Sequence, residues 1–453
     1  MYISKLAFKF KINSIIKFNK HIELKFCKFN FMKKREFLKS FGNTLMISPF
    51  LSFDLRNNDN DLYSDRSLLN DKEFWNRIRK DYSLKKDYIN LENGYYNIIP
   101  NPTLKKFISH VKSVNFEGSY YMRTKRNNDN RRVANRLAKL VGCSDDELVI
   151  TRNTTESLDL IIGGFPWKKE DEAIYAIQDY GAMQQMFKLV SKRYGILNKI
   201  VSIPNHPISD EQIVSIYEDQ ITPKTRLIMV SHMINITGHI LPIKKICNMA
   251  HKYGVDVMVD GAHCIGHFDV NISKLNCDYY GSSLHKWLST PLGAGLLYVS
   301  KSKVSKIWPL LGSHINEKDN ILRLNHIGTH PVHTDLAIEN AIDYIEMIGI
   351  KRKEERLREI QRYWSDQLRN FENVIINTPL ESFKSCGIAN VGIKGLDPSK
   401  LEKVLFDDYN IFTVAINHEN VKGCRITPNI YTNFSDLDHF VSSIKEIASK
   451  NIH

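Results

Sequence analysis

The sequence predicts an α/β fold, with a large domain built around a mostly parallel sheet and a smaller α+β domain after it. Strand-like apolar runs alternate with amphipathic helix-like segments between about residues 130 and 300, which is the pattern of successive β–α–β units. Polar side chains, Asn153 and Asp260, end two of the apolar runs. Ligands of parallel sheets bind at the carboxyl ends of the strands, so these two positions also predict the place of a site.

Three segments are predicted to be helices. Residues 131–142 place their apolar side chains on one helical face and stop at Gly142. Residues 242–254 begin with proline and end with glycine, the usual punctuation of a helix. Residues 351–370 are dense in charge, which predicts a long solvated helix leading into the smaller domain.

The predicted strands are short, apolar and separated by these helices or by turn residues. They are residues 147–153, 172–179, 226–233, 255–263 and 293–300. The resulting domain prediction is a basic tail with a linker over residues 1–70, a large domain over 71–334 and a small C-terminal domain over 335–453.

The positive charge is concentrated at the N-terminus. The chain of 453 residues carries a net charge of +13, and residues 1–39 hold 11 Lys or Arg against 2 acidic residues, or 9 of those 13 charges. The folded body is therefore only weakly basic. It lacks the clustered basic and aromatic side chains of a nucleic-acid interface, so we expect no nucleic-acid partner.

The first seventy residues predict a basic tail and linker with a possible export signal. No stretch of 18 uncharged apolar residues occurs among residues 1–31, which argues against a transmembrane helix. Met32 opens a basic segment followed by a short apolar one, the layout of an export signal. Residues 34–39, Lys-Arg-Glu-Phe-Leu-Lys, resemble a twin-arginine signal with lysine in place of the first arginine. The alternative is a basic tail in front of a start at Met32, with a periplasmic or a cytoplasmic location open.

Several site types are excluded by their missing motifs. The seven cysteines (Cys27, Cys143, Cys247, Cys264, Cys277, Cys386 and Cys424) form no C-x-x-C pair and have no metal-ligand spacing. The chain has no P-loop sequence and no H-E-x-x-H helix, and the glycines at 293 and 295 lack the third glycine of a dinucleotide fingerprint. We therefore expect no metal and no nucleotide of these kinds.

The most informative stretch is residues 255–299, where D-G-A-H starts at Asp260 and S-L-H-K ends at Lys286. An acid at a strand end followed by a lysine in a polar turn supplies the two groups that pyridoxal 5'-phosphate (PLP) chemistry needs. These motifs resemble the class V aminotransferase family of PLP enzymes of fold type I, over roughly residues 85–450. The D-G-A-H and H-K-W-L motifs are most similar to those of the isopenicillin N epimerase-like branch.

The resemblance implies roles for individual residues. Lys286 would form a Schiff base with the cofactor, Asp260 would partner its ring nitrogen, and His263 would lie near its phenolic oxygen. The remaining cofactor contacts implied by the family are Thr154, Thr155, Tyr180, Asn235, Ser283, His285 and Thr329. Arg425, in the pattern R-I-T-x-x-x-Y, would bind the substrate carboxylate, for which a planar guanidinium is suited.

Simpler interpretations exist for some of these residues. Thr154 and Thr155 could be a plain helix cap, Tyr180 a core tyrosine and Arg425 a surface arginine. Thr329 resembles an element that reaches the phosphate of a neighbouring subunit, which implies a homodimer with shared sites.

The family resemblance leaves the reaction open. Transamination, epimerisation or racemisation, and elimination at an amino acid all start from a carbanion at the α-carbon. A desulfurase would carry a nucleophilic cysteine about a dozen residues before the terminal arginine, and residues 412–419 contain none. A catalytically inactive binding protein of the same fold is the alternative from another class, and the presence of Asp260, His263, Lys286 and Arg425 argues against it.

Overall fold

The computed structural model describes residues 71–450. Its helices in chain order are α1 Asp71–Lys80, α2 Asn101–Glu117, α3 Ser119–Thr124, α4 Arg126–Val141, α5 Thr154–Gly164, α6 Gly181–Tyr194, α7 Asp210–Glu218, α8 Ile243–Lys252, α9 Val332–Ile348, α10 Ile350–Ser365, α11 Pro398–Tyr409 and α12 Phe434–Ser449. Its strands are β1 Ile89–Asn90, β2 Leu148–Thr151, β3 Glu172–Ala176, β4 Leu197–Val201, β5 Thr225–Ser231, β6 Asp256–Asp260, β7 Tyr279–Ser283, β8 Gly295–Val299, β9 Val374–Ile376, β10 Ala389–Ile393, β11 Ile411–Phe412, β12 Val414–His418 and β13 Val421–Ile426.

A seven-stranded sheet forms the centre of the molecule, with the order β2-β8-β7-β6-β5-β3-β4. Strands β4, β3, β5, β6 and β7 run parallel, and β8 is antiparallel to both of its neighbours. The prediction of a mostly parallel α/β sheet is confirmed, and each of the five predicted strands overlaps one of its members. Strands β4 and β7 were missed. Strand β4, at the edge of the sheet, is only partly buried and lacks a continuous apolar run, and the sequence of β7, Tyr-Tyr-Gly-Ser-Ser, is interrupted by glycine, which is depleted in strands.

Both faces of this sheet are buried, so the molecule has three layers at its centre. Successive residues of β5, such as Ile228 and Met229, belong to two different apolar clusters, one on each face. Helices α5 and α6 cover one face, and α4, α7, α8 and α9 contribute to the cluster on the other. Alternate side chains of a strand point to opposite faces, so a continuous apolar run is what such a doubly covered strand requires.

A second sheet, antiparallel and four-stranded, follows with the order β12-β13-β10-β9. Its core contains side chains of α10, α11 and α12, and also Leu91 from near the start of the described chain. Strand β1 pairs in parallel with β11, and Glu92 forms a bridge with Thr427. An early segment is thereby attached to the C-terminal sheet. Helix α9 spans residues 334 and 335, and the domain boundary placed there stays a prediction.

The predictions for the basic tail, the export signal and the start at Met32 concern residues 1–70, which lie outside the described residues. Within residues 71–450, no helix is long and apolar enough to cross a membrane.

Candidate active site

A cavity of about 290 Å³ lies at the carboxyl ends of β5, β6 and β7, beside the N-terminus of α5. Ten of the eleven predicted site residues line it: Thr154, Thr155, Tyr180, Asn235, Asp260, His263, Ser283, His285, Lys286 and Arg425. The eleventh, Thr329, does not. The volume is near the low end of the range for small-molecule sites. The carboxyl ends of the parallel strands and the sequence motifs thus identify the same cavity.

Lys286 is partly buried, and its amine lies against a histidine. Its Nζ lies 3.0 Å from Nε2 of His263, while Nδ1 of His263 accepts a hydrogen bond from the Trp287 indole at 3.3 Å. The indole donation assigns the imidazole proton to Nε2. That proton can be donated only to a neutral Lys286 amine, since an ammonium group has no acceptor.

The electrostatics of the pocket favour these neutral forms. Burial lowers the pKa of Lys286 to about 8, assisted by the Arg425 charge and opposed by Asp260 and Glu92. Burial, with the nearby Lys286 and Arg425 charges, also holds the pKa of His263 well below its usual range. A lysine with a lowered pKa is a better nucleophile and base near neutral pH.

Asp260 ends β6 and lines the cavity with a carboxylate of which one oxygen has a hydrogen-bond partner. Its Oδ1 accepts the backbone N–H of Ala262 at 2.9 Å, and no other described side chain bonds to Oδ2. Burial raises the pKa of this carboxyl, whereas the Ala262 N–H and the Lys286 charge oppose the rise. Gly261 is required beside it, because a Cβ there would lie 2.1 Å from the ring of Tyr280.

The N-terminus of α5 forms a second polar wall. Asn153 caps the helix by accepting the N–H of Glu156, and the N–H and hydroxyl of Thr154 both reach Oγ of Ser283, at 2.9 and 2.7 Å. Among residues 71–450, no group bonds to the backbone N–H of Thr155. A helix N-terminus with free N–H groups and hydroxyls is a ready anion site, so a cap and an anion site are compatible here.

The remaining predicted residues are placed as follows. Tyr180 is 47% exposed at the rim of the cavity, so it is not a core tyrosine. His285 lines the cavity, and the carbonyl of Ala294 lies 3.3 Å from its Nδ1. Thr329 is exposed and lies outside the cavity. Its contact with a neighbouring subunit stays a prediction.

Arg425 lies in the cavity wall but already has an anionic partner. Its Nη2 and Nε donate to the two carboxylate oxygens of Glu92, at 2.6 and 3.2 Å, and its Nη1 donates to the carbonyl of Asn235 at 3.4 Å. Both side chains are more than nine-tenths buried. Arg425 is therefore not a surface arginine.

The sequence analysis missed the contribution of residues 92–97. Gly94 and Tyr95 line the cavity, and Glu92 pairs with Arg425. Asn97 donates from Nδ2 to the Lys286 carbonyl at 2.6 Å and is itself fully buried. The available signal was the dense run Glu-Asn-Gly-Tyr-Tyr-Asn between two apolar residues, since a glycine among polar residues marks a turn at which the backbone can approach another group closely.

These residues fit PLP. The N-terminus of α5 with Ser283 would hold the phosphate, the free oxygen of Asp260 would pair with the ring nitrogen, and Lys286 would carry the covalent bond. In the described part of the chain, no cluster of His, Cys, Asp or Glu side chains could hold a metal ion. The expectation of no metal is compatible with this.

A family model described as Aminotransferase class-V matches residues 102–440. Isopenicillin N epimerase of Streptomyces clavuligerus is 24% identical over 331 residues, which cover 69% of this chain and 83% of that protein. Cysteine desulfurase of Wigglesworthia glossinidia brevipalpis is 26% identical over 412 residues, covering 82% of this chain and 96% of that protein.

Solved structures show the same fold. The apo cysteine desulfurase from Thermococcus onnurineus NA1 matches with a TM-score of 0.73 and 21% identity, over 83% of this chain and 98% of that one. A lysine-to-alanine mutant of C-DES, with glycine covalently linked to its PLP cofactor, also matches with a TM-score of 0.73, at 18% identity over 83% of this chain and 100% of that one.

Proposed function

The chain belongs to the class-V aminotransferase family of PLP enzymes, and from that premise we propose that it acts at the α-carbon of an amino acid substrate through Lys286. The cofactor of this family is pyridoxal 5'-phosphate. The observation that carries the proposal is the Lys286 amine, 3.0 Å from His263 in a cavity that Asp260 also lines.

Each residue has a defined task in this proposal. When bound, PLP supplies an electron sink for the pair left at the substrate α-carbon. Asp260 keeps the ring nitrogen protonated through its carboxylate charge. The neutral amine of Lys286 would take up the α-proton, and its lowered pKa keeps a useful fraction neutral at working pH.

The substrate class follows from Arg425. A buried guanidinium in the cavity wall favours a ligand with a free carboxylate, because its planar fork makes paired charge-assisted hydrogen bonds. An α-amino acid satisfies both this group and the need for an amine that can replace Lys286 on the cofactor.

Within the family, we propose an aminotransferase or an epimerase of the isopenicillin N epimerase-like branch. The D-G-A-H and H-K-W-L motifs support the assignment to this branch, as do two isopenicillin N epimerases at 24 and 25% identity. An epimerase returns the proton to the α-carbon, whereas an aminotransferase moves it to the cofactor carbon. The groups facing the second side of the α-carbon decide between them.

A cysteine desulfurase or lyase is the second candidate, because a cysteine desulfurase matches over 82% of this chain. The cavity argues against the desulfurase. No cysteine lines it among the described residues, and β12 and β13 are joined by a tight turn rather than a reaching loop. The buried Cys424 directs its thiol towards the carbonyl of Pro398, at 3.7 Å.

Assembly into a homodimer is part of the proposal, with Thr329 completing the neighbouring site. Its position outside the cavity of its own chain is compatible with that role.

The test is exchange of the α-proton of amino acids in heavy water, followed by NMR, with the purified holoenzyme. We expect exchange with at least one amino acid, and the products then sort the reactions: the opposite enantiomer, a keto acid, or sulfide. Lys286→Ala is the control and should abolish exchange. A protein that carries PLP and exchanges no α-proton in a full amino acid screen would refute the proposal.

A further inference from the structure

The buried carboxylate of Glu92 pairs with Arg425, the arginine that lines the cavity and that we propose binds the substrate. Glu92 and Arg425 are 333 residues apart in the chain, yet they form a two-point ion pair through Nη2–Oε1 and Nε–Oε2. The pairing of β1 with β11 and the bridge between Glu92 and Thr427 bring them together. Glu92 lies outside the family model, which matches residues 102–440, whereas Arg425 lies within it.

The contacts of Arg425 use only part of its donor set. Of five guanidinium N–H groups, Nε and one on Nη2 go to Glu92, and one on Nη1 goes to the Asn235 carbonyl. Among the described residues this leaves one N–H on Nη1 and one on Nη2. Those two terminal groups are the pair that a second carboxylate can bind.

The contacts of Glu92 hold its carboxylate in place against Arg425. The backbone N–H of Tyr95 donates to Oε1 at 2.9 Å, and the Thr427 hydroxyl donates to Oε2 at 3.4 Å. A Cβ at Gly94 would lie 2.9 Å from Cζ of Arg425, so the glycine lets the guanidinium lie against the backbone. Arg425 lines the cavity and Glu92 does not.

Beside burial and Asp260, which have the larger effects, the pair also contributes two opposite charges near Lys286. Arg425 lowers the pKa of Lys286 and Glu92 raises it. With Glu92 present, the two effects oppose one another.

We propose that Glu92 is a positioning residue for substrate recognition: it holds the Nε–Nη2 edge of Arg425, so that the terminal Nη1–Nη2 pair faces the carboxylate of the amino acid, and it offsets the Arg425 charge at Lys286. The inference rests on the proposed function, because it takes Arg425 as the substrate arginine. It adds a specificity-determining residue from a segment that the family motifs do not include.

The experiment uses the holoenzyme and an unreactive probe, propionate, with propionamide as the neutral comparison. Binding is measured by calorimetry, and the protonation midpoint of the Lys286 nitrogen is read from the visible cofactor band as pH is changed. Glu92→Gln should weaken propionate binding at least about tenfold, since the two-point clamp is lost. It should also lower the midpoint by roughly half a pH unit, since Arg425 is then uncompensated.

Glu92→Asp separates the two effects and serves if the glutamine variant does not fold. Its charge remains, so the midpoint should stay near that of the wild type. Its shorter side chain cannot reach both Nε and Nη2, so propionate binding should still weaken. For reacting amino acids, both variants should raise KM far more than they change kcat.

The matched control is Asp256→Asn. Asp256 is also buried and paired, with Lys303 and Lys306 at 2.7 Å, but at the opposite end of β6 from Asp260. This variant should change neither readout. Unchanged or tighter propionate binding in both Glu92 variants would overturn the inference, as would a wild type that does not bind propionate. A cofactor band and α-proton exchange that persist in these cases would show that the proposed function stands without it.

Discussion

Two groups of cavity residues differ in how the chain brings them together. The first, the sheet wall, consists of Asp260, His263, Ser283 and Lys286, which come from one stretch of 27 residues. The second, the arginine wall, consists of Arg425, which pairs with Glu92 across 333 positions. The first wall holds its groups at the ends of adjacent parallel strands, β6 and β7. The second holds them by a single buried ion pair and by strand pairings between an early segment and the C-terminal sheet.

This difference separates two tasks. Strand ends fixed by a hydrogen-bonded ladder give a rigid frame, which suits a cofactor that stays bound. A guanidinium held by a carboxylate can keep its position while its remaining N–H groups exchange one partner for another, which suits a substrate that comes and goes. Damage to the first wall should therefore reduce the chemistry, and damage to the second should reduce recognition.

The largest effect is expected from Asp260→Asn. The amide keeps the shape and most cofactor contacts but lacks the charge that stabilises a protonated ring nitrogen, so turnover should fall on the order of a thousandfold. Steady-state kcat and the amount of bound PLP are to be measured together. Near-normal turnover with full PLP content would show that Asp260 does not have this role.

A smaller effect, on recognition, is expected from substitutions at Arg425. Loss of the paired hydrogen bonds should lower kcat/KM for amino acids by about a hundredfold. Arg425→Lys should be nearly as damaging as Arg425→Ala, because a point charge cannot reproduce the fork. Cofactor content and its spectrum should stay close to the wild type. A variant that loses PLP instead, or a lysine variant with normal kinetics, would show that Arg425 does not bind the substrate carboxylate.

The smallest expected effect concerns the pH dependence of cofactor capture. The pKa of Lys286 is lowered to about 8, so its neutral, nucleophilic form is lost below that pH and present above it. The rate at which PLP combines with the stripped protein should rise with pH and level off above about 8 to 9. An ordinary lysine would give a rise that continues towards pH 10. Stopped-flow recording of the visible band distinguishes the two profiles.

The sheet wall could be predicted from the sequence because its information is local. The apolar run ending at Asp260, the turn before Lys286 and the strand–turn–helix around Thr154 each fit within a few residues, and the strand-end rule joins them. The family resemblance then supplied roles for residues such as Asn235 and Ser283. Strand β7 was missed even here, because tertiary burial overrides the weak strand preference of glycine and serine.

Only half of the arginine wall could be predicted from the sequence. Arg425 was identified by its motif, but its partner depends on a pairing between β1 and β11 that no local pattern specifies. The two-residue β1 has no periodicity to detect. Asn97, which holds the Lys286 carbonyl, was missed for the same reason.

The central claim is that Lys286 carries the cofactor, and it is tested by borohydride reduction of the holoenzyme, followed by proteolysis and mass spectrometry. The account predicts a phosphopyridoxyl group on Lys286, with no comparable label on the buried Lys384 or on the buried Lys353, whose Nζ donates to the Trp287 carbonyl at 2.6 Å. Label on Lys353 or on any other lysine, or no label on a protein that retains the visible band, would contradict the account.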